Sequence, residues 1–205
     1  MLGYTVKNLE ENASIHTASE ISGQPKLWEM TYKAFSAIQG DLKVFLDHVL
    51  KEDDLDIILT GAGTSAFIGE TLEGYIKNSF NKNTRSVHTT DIISFPEDYL
   101  YKDKTTLLIS FARSGNSPES VGVVDLANKL CHQVYHIIIT CNESGKLAKM
   151  DKNENVFCFI LPPNSNDKSL AMTGSYTGML LSGIMLAKIE TFSSLEEKVD
   201  LLSSI

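Results

Sequence analysis

The chain changes its hydrophobic rhythm near residue 55. Before that point, Leu27, Met30, Phe35, Ile38, Leu42, Phe45, Leu46 and Val49 recur at roughly helical spacing. Gln24-Pro25 opens this run, and proline suits the first position of a helix, so a long helix is expected from Pro25 onward, with Gly40 as a weak point. Residues 1–23 are polar and read as an arm with some helix. Beyond residue 55 the pattern becomes strand, helix, strand. Short apolar runs over 56–60, 85–89, 105–111, 134–140 and 156–161 read as five strands. Helical patterns lie between them over 64–80, 117–130 and, more briefly, 144–150. Pro162-Pro163 closes the last strand, and helices are expected over about 170–189 and 195–202. The unbroken apolar run at 105–111 is that of a strand buried on both faces. Strands alternating with helices predict an α/β fold: a five-stranded parallel, doubly wound sheet in the flavodoxin-like order 2-1-3-4-5, with an N-terminal helical arm over 1–50 and the domain proper over 51–205.

The stretch between Lys168 and Lys188 carries no charge and approaches the ~20 residues that span a bilayer. Thr173, Gly174, Ser175, Thr177, Gly178, Ser182 and Gly183 dilute it, so a buried helix is expected and no membrane association. Gly174, Gly178 and Ser182 recur every fourth residue and give that helix one small face, suited to close approach of a neighbour.

A length of 205 residues fits one large domain. The net charge of -8 argues against a nucleic-acid surface. The three cysteines, Cys131, Cys141 and Cys158, are odd in number and form no Cys-x-x-Cys pair, so free thiols are expected rather than disulfides or zinc. The N-terminal segment lacks an apolar signal region, and a cytoplasmic location is expected. His132 and His136 are four apart but straddle a helix end and a strand start, so no metal is expected there.

The chemistry concentrates in two loops. Leu-Thr-Gly-Ala-Gly-Thr-Ser at 59–65 follows the first strand, and Ser-Phe-Ala-Arg-Ser-Gly-Asn-Ser at 110–117 follows the third. Each places small residues, hydroxyls and free N–H groups where a helix begins, which is the recipe for holding a phosphate. In the first, Gly61 and Gly63 permit a tight turn, and Thr64 and Ser65 supply hydroxyls. In the second, Ser114, Asn116 and Ser117 can donate to a dianion and Arg113 adds a charge-assisted donor. Plain helix capping by the serines is the simpler alternative for each loop. In the order 2-1-3-4-5 the switch point lies between strands 1 and 3, where these two loops emerge. A rival reading takes Gly61-x-Gly63-x-x-Ala66 with Asp91 as a dinucleotide fingerprint. Its third position is not glycine, and Asp91 lies beyond the usual spacing of about 20 residues. Asp167-Lys168-Ser169-Leu170-Ala171-Met172-Thr173 enters the long helix at the same sheet edge, where Thr173 faces the ligand or, alternatively, Ser169 or Thr173 simply caps the helix.

With Ile-Thr-Cys-Asn at 139–142, Ser-Leu-Ala-Met-Thr at 169–173 and Glu20-Ile21-x-x-Gln24-Pro25 in the arm, these loops resemble a sugar isomerase (SIS) domain. The Ser-Phe-Ala-Arg-Ser-Gly-Asn-Ser and Ser-Leu-Ala-Met-Thr forms are similar to the tagatose-6-phosphate ketose/aldose isomerase family, which includes galactosamine-6-phosphate deaminase/isomerases. The resemblance implies a sugar-phosphate site at Gly63, Thr64, Ser65, Arg113, Ser114, Asn116, Ser117 and Thr173, with no cofactor. It implies ring opening, proton transfer between C1 and C2, and release of ammonia, taking galactosamine 6-phosphate to tagatose 6-phosphate. Members of the family usually carry two such domains, and this chain matches the first. In related enzymes the base glutamate and ring-opening histidine come from the second, so no catalytic residue is assigned here. The resemblance also implies a homodimer burying the long helices. A module that senses a sugar phosphate without turnover is the alternative.

Overall fold

The computed structural model describes residues 1–150, 153–196, 198 and 201. After a short helix α1 (Val6–Glu11), helix α2 runs from Ile15 to Val49. The alternating part follows: β1 (Leu55–Gly61), α3 (Ala66–Phe80), β2 (Asn83–Ser86), α4 (Thr89–Ser94), α5 (Pro96–Tyr99), β3 (Thr105–Ala112), α6 (Pro118–Leu130), β4 (Gln133–Thr140), β5 (Val156–Ile160) and α7 (Gly174–Ala187). The sheet is parallel throughout, in the order β2-β1-β3-β4-β5. This is the expected topology.

The central strands are apolar without interruption because they are covered on both sides, and alternate residues serve different cores. Ile57, Leu59, Leu107, Ile109, Phe111, Ile137 and Ile139 face α2, α3 and α7 with Phe35, Leu42, Leu72 and Met179. Ile58, Leu108, Ala112 and Ile138 face α4 and α6 with Ile92, Val123, Val124 and Ala127. At the sheet edge, buried Asp56 accepts from Arg85 Nε at 3.2 Å and Nη2 at 2.7 Å, and from Asn83 Nδ2 at 2.5 Å. This cluster ties β2 to β1 by charge where β2 offers few apolar residues.

Several boundaries differ from expectation. The long helix starts ten residues before Pro25, which sits inside it. A proline there removes one intrahelical hydrogen bond, at a cost of roughly 3 kcal/mol. Tertiary contacts on the arm offset it: Ala18 and Leu27 are buried, and Trp28 Nε1 donates to Thr177 Oγ1 at 3.0 Å. Gly40 does not interrupt the helix. Strand β2 lies earlier than residues 85–89, because Thr89 is the first residue of α4, its side chain buried and bonded to the Gly61 carbonyl at 3.2 Å. Only a 3₁₀ turn, Leu147–Lys149, forms within 144–150. The last long helix begins at Gly174 rather than near 170. Half of the helix expected over 195–202 lies outside the described residues, and a 3₁₀ stretch, Ile189–Leu195, precedes it.

Helix α7 does present a small face. A methyl group at Gly178 would stand 2.8 Å from Leu161 Cδ2, and Gly174 lies against Leu27 of α2. The small residues let α2 and α7 pack closely over the same edge of the sheet. No helix among the described residues is long and apolar enough to cross a membrane. The three cysteines are unbridged.

Candidate functional site

Strands β1 and β3 pair directly, with Gly61 beside Phe111, so the loops leaving their carboxyl ends emerge side by side. After β1 the chain makes a 3₁₀ turn, Gly63–Ser65, and enters α3. The turn is so tight that a side chain on Gly61 would meet the Ser65 carbonyl carbon at 2.6 Å; glycine is a steric requirement there. After β3, Gly115 takes a φ of +63°, and Ser117 leads in extended conformation into Pro118, the first residue of α6.

Between the loops lies a cleft of about 120 Å³. Ser65, Arg113, Ser114 and Ser117 line it, joined by Ser120 from the first turn of α6 and Met172 from the segment before α7. The plain capping role is not the one these serines take. Neither Ser65 nor Ser117 makes a side-chain cap to its helix, and the Ser117 and Ser120 hydroxyls instead meet at 2.6 Å on the cleft wall. No side chain therefore occupies the start of α3 or α6 beside the cleft, although the first N–H of α3, that of Ala66, already turns back to the Gly63 carbonyl.

The N-terminus of α7 is closed by contrast. The buried Asp167 carboxylate accepts from the N–H groups of Thr173 (3.0 Å), Gly174 (3.1 Å) and Ser175 (2.9 Å), and from the Ser175 hydroxyl at 2.5 Å. A negative charge already occupies that helix end.

The other candidates lie around the cleft rather than on its wall. Gly63 and Thr64 are exposed on the turn. The Asn116 side chain is turned toward the loop after β4, where its Oδ1 accepts from the Lys146 N–H at 3.0 Å. Thr173 is the N-cap residue of α7, with its hydroxyl 3.5 Å from Asp167. Asp91 of the dinucleotide reading sits inside α4, exposed, rather than at a strand end. His136 is buried in β4 with Nε2 2.9 Å from Asn128 Oδ1, apart from the cleft.

Two residues that the sequence left without an assigned role also belong to this region. Ser120 follows Ser117 by three, one helical turn on, a spacing that could have revealed it. Glu20, in α2, accepts from the Lys168 N–H at 2.6 Å, the Ser169 N–H at 3.1 Å and the Ser169 hydroxyl. Burial pushes its carboxyl up. The hydrogen bonds from Ser169 and Lys168, with His16 nearby, outweigh this and hold it below the ordinary carboxylate range. Arg113 Nη1 in turn donates to the Ser169 carbonyl at 3.3 Å. Cys141, beneath this region, has its thiol pushed up to about 12 by burial, which makes it a packing residue and not a nucleophile.

Among known proteins, the chain is 43% identical over 179 residues to the D-galactosamine-6-phosphate deaminase AgaS of Escherichia coli, covering 87% of this chain and 47% of that protein. A solved structure from Clostridium novyi is 44% identical with a TM-score of 0.95, covering 100% of this chain and 52% of the other. The tagatose-6-phosphate ketose/aldose isomerase structure from Escherichia coli is 40% identical with a TM-score of 0.86, over 92% of this chain and 52% of that one. The chain thus spans about half the length of the curated relatives it matches. The profile of the SIS domain family matches residues 50–189, and the chain belongs to that family.

Proposed function

We propose that this chain binds a phosphorylated amino sugar in the cleft between the β1 and β3 loops and, within a complete two-domain enzyme, contributes to its isomerisation and deamination. Galactosamine 6-phosphate and water giving tagatose 6-phosphate and ammonia is the reaction we favour. The names of the relatives support the substrate class. The observation that carries the reading is the contrast between helix ends. Helices α3 and α6 reach the cleft uncapped, among four serine hydroxyls and Arg113, whereas α7 carries its own carboxylate. Such a cleft suits a phosphate dianion, held by neutral donors and one cation. In this reading Gly63 and Thr64 on the first loop, Asn116 on the second and Thr173 at the start of α7 contact the sugar as it extends from the phosphate.

Among the described residues, the cleft lining offers no carboxylate or imidazole to act as base or acid, so this reading takes those groups from the other half of the enzyme. The same observation favours the second reading, a sugar-phosphate sensor. Pairing of domains through the long helices belongs to either version. Tyr176, Leu180, Leu181 and Ile184 form a half-buried apolar stripe on α7 that supports it.

Thermal shift with galactosamine 6-phosphate tests the cleft. The ligand should raise the melting temperature through mass action. Ser114→Ala should weaken binding roughly tenfold, as loss of a hydrogen bond to a charged group does. An equal shift in wild type and variant would refute the assignment. Ammonia release by a protein carrying both halves, lost in Ser114→Ala, supports the enzyme; binding without ammonia supports the sensor.

A further inference from the structure

The segment between β5 and α7 forms a strap that reaches the cleft wall at Met172, and two carboxylates fasten it. Asp167 holds its far end to α7 through the N–H groups of Thr173, Gly174 and Ser175. Glu20 holds its middle, gathering the N–H groups of Lys168 and Ser169 on one oxygen and the Ser169 hydroxyl on the other. Between the two anchors the chain bulges outward, with Leu170 96% exposed at the apex, before Met172 returns to the cleft wall. The Ser169 carbonyl, on the residue Glu20 grips, takes the Arg113 guanidinium at 3.3 Å.

We propose that Glu20 is a positioning residue for the cleft: through Ser169 it sets the Arg113 guanidinium where it meets a bound phosphate. The inference rests on the phosphosugar reading of the cleft. Physically, Arg113 is a long side chain with many rotamers, and orienting it in advance lowers the entropic cost of each charge-assisted bond it makes on binding. A carboxylate suits the grip because it accepts several N–H and O–H donors at once, which a neutral side chain of similar size does less well. The geometry also gives the arm a role. The Glu20-Ile21-x-x-Gln24-Pro25 segment touches the strap at Glu20 and α7 at Gln24, whose Oε1 lies 3.3 Å from Thr177 Oγ1. Continuity of α2 through Pro25 is what brings Glu20 to the strap.

The test is a double-mutant cycle read by calorimetric titration of the chain with galactosamine 6-phosphate, with galactosamine as the unphosphorylated control. Glu20→Ala should weaken binding of the phosphorylated sugar roughly tenfold, and Glu20→Gln, which keeps an acceptor oxygen, should recover most of it. On an Arg113→Ala background, Glu20→Ala should cause no further loss, because its effect runs through Arg113. Should Glu20→Ala not fold, Ser169→Ala replaces it in the cycle, with a smaller loss that likewise vanishes without Arg113. Wild-type affinity in the Glu20 variant, or losses that multiply in the double variant, overturns the positioning role while leaving the cleft assignment in place. A wild-type chain that binds no phosphorylated sugar overturns the cleft reading and this inference with it.

Discussion

Asp167 and Glu20 show how much of this molecule hangs on single carboxylates. Asp167 is buried and spends its oxygens on three N–H groups and a hydroxyl at the start of α7. Removing it leaves those donors buried with no acceptor, a loss of about 2 kcal/mol on the usual scale for such groups. Asp167→Ala should therefore lower the urea midpoint by that equivalent, with an unchanged denaturant slope; a variant as stable as wild type would contradict the capping role. His136 carries a different liability. Burial alone lowers its imidazole from the ordinary 6.5 to about 4. The folded protein keeps it neutral while the unfolded chain takes up a proton as the pH falls below about 6.5, so stability is full above that pH and is lost as the pH falls toward 4. The loss should reach about 2 kcal/mol by pH 5. Urea unfolding at pH 7.5 and pH 5 would check it: His136→Gln should flatten that part of the decline, and parallel curves would exclude the histidine as its source.

At the scale of elements, α2 decides most. Proline at position 25 suits a helix start, but the helix runs through it. Local preference is outweighed by contacts on the preceding turns: Ala18 in the core, Glu20 on the strap and, just after, Trp28 on Thr177. This makes a sharp prediction. In a continuous helix, Pro25→Ala restores the missing bond to the Ile21 carbonyl and should stabilise the chain by about 1 kcal/mol after allowing for the looser unfolded state. In a helix that began at Pro25, the same change would be neutral or destabilising, and thermal melting distinguishes the two. The two phosphate-type loops follow the opposite logic. Their glycines, serines and proline act within a few residues, so their turn positions and helix starts were legible. What each side chain does there was less so: Ser117 meets Ser120 instead of capping α6, and Asn116 turns to the loop after β4.

For the whole molecule, the order of strands and the meeting of the two loops followed from alternation of strand and helix patterns together with the rules of parallel sheets. Apolar periodicity and turn residues act over short stretches of chain, so the amino-acid sequence by itself determined the doubly wound sheet, the buried central strands, the two-loop crevice and the small face of α7. Interactions across long separations were beyond it. Glu20 reaches Lys168 and Ser169 across 148 and 149 residues, Asp167 displaces Thr173 and Ser169 as the partner of the α7 N-terminus, and Arg113 leans on a carbonyl 56 residues away. A carboxylate can accept from any donor the fold brings within reach, and its sequence neighbours carry no record of which one that is. Only the tertiary structure decided which helix ends stay open to a ligand, and which residue of the arm holds the wall of the cleft.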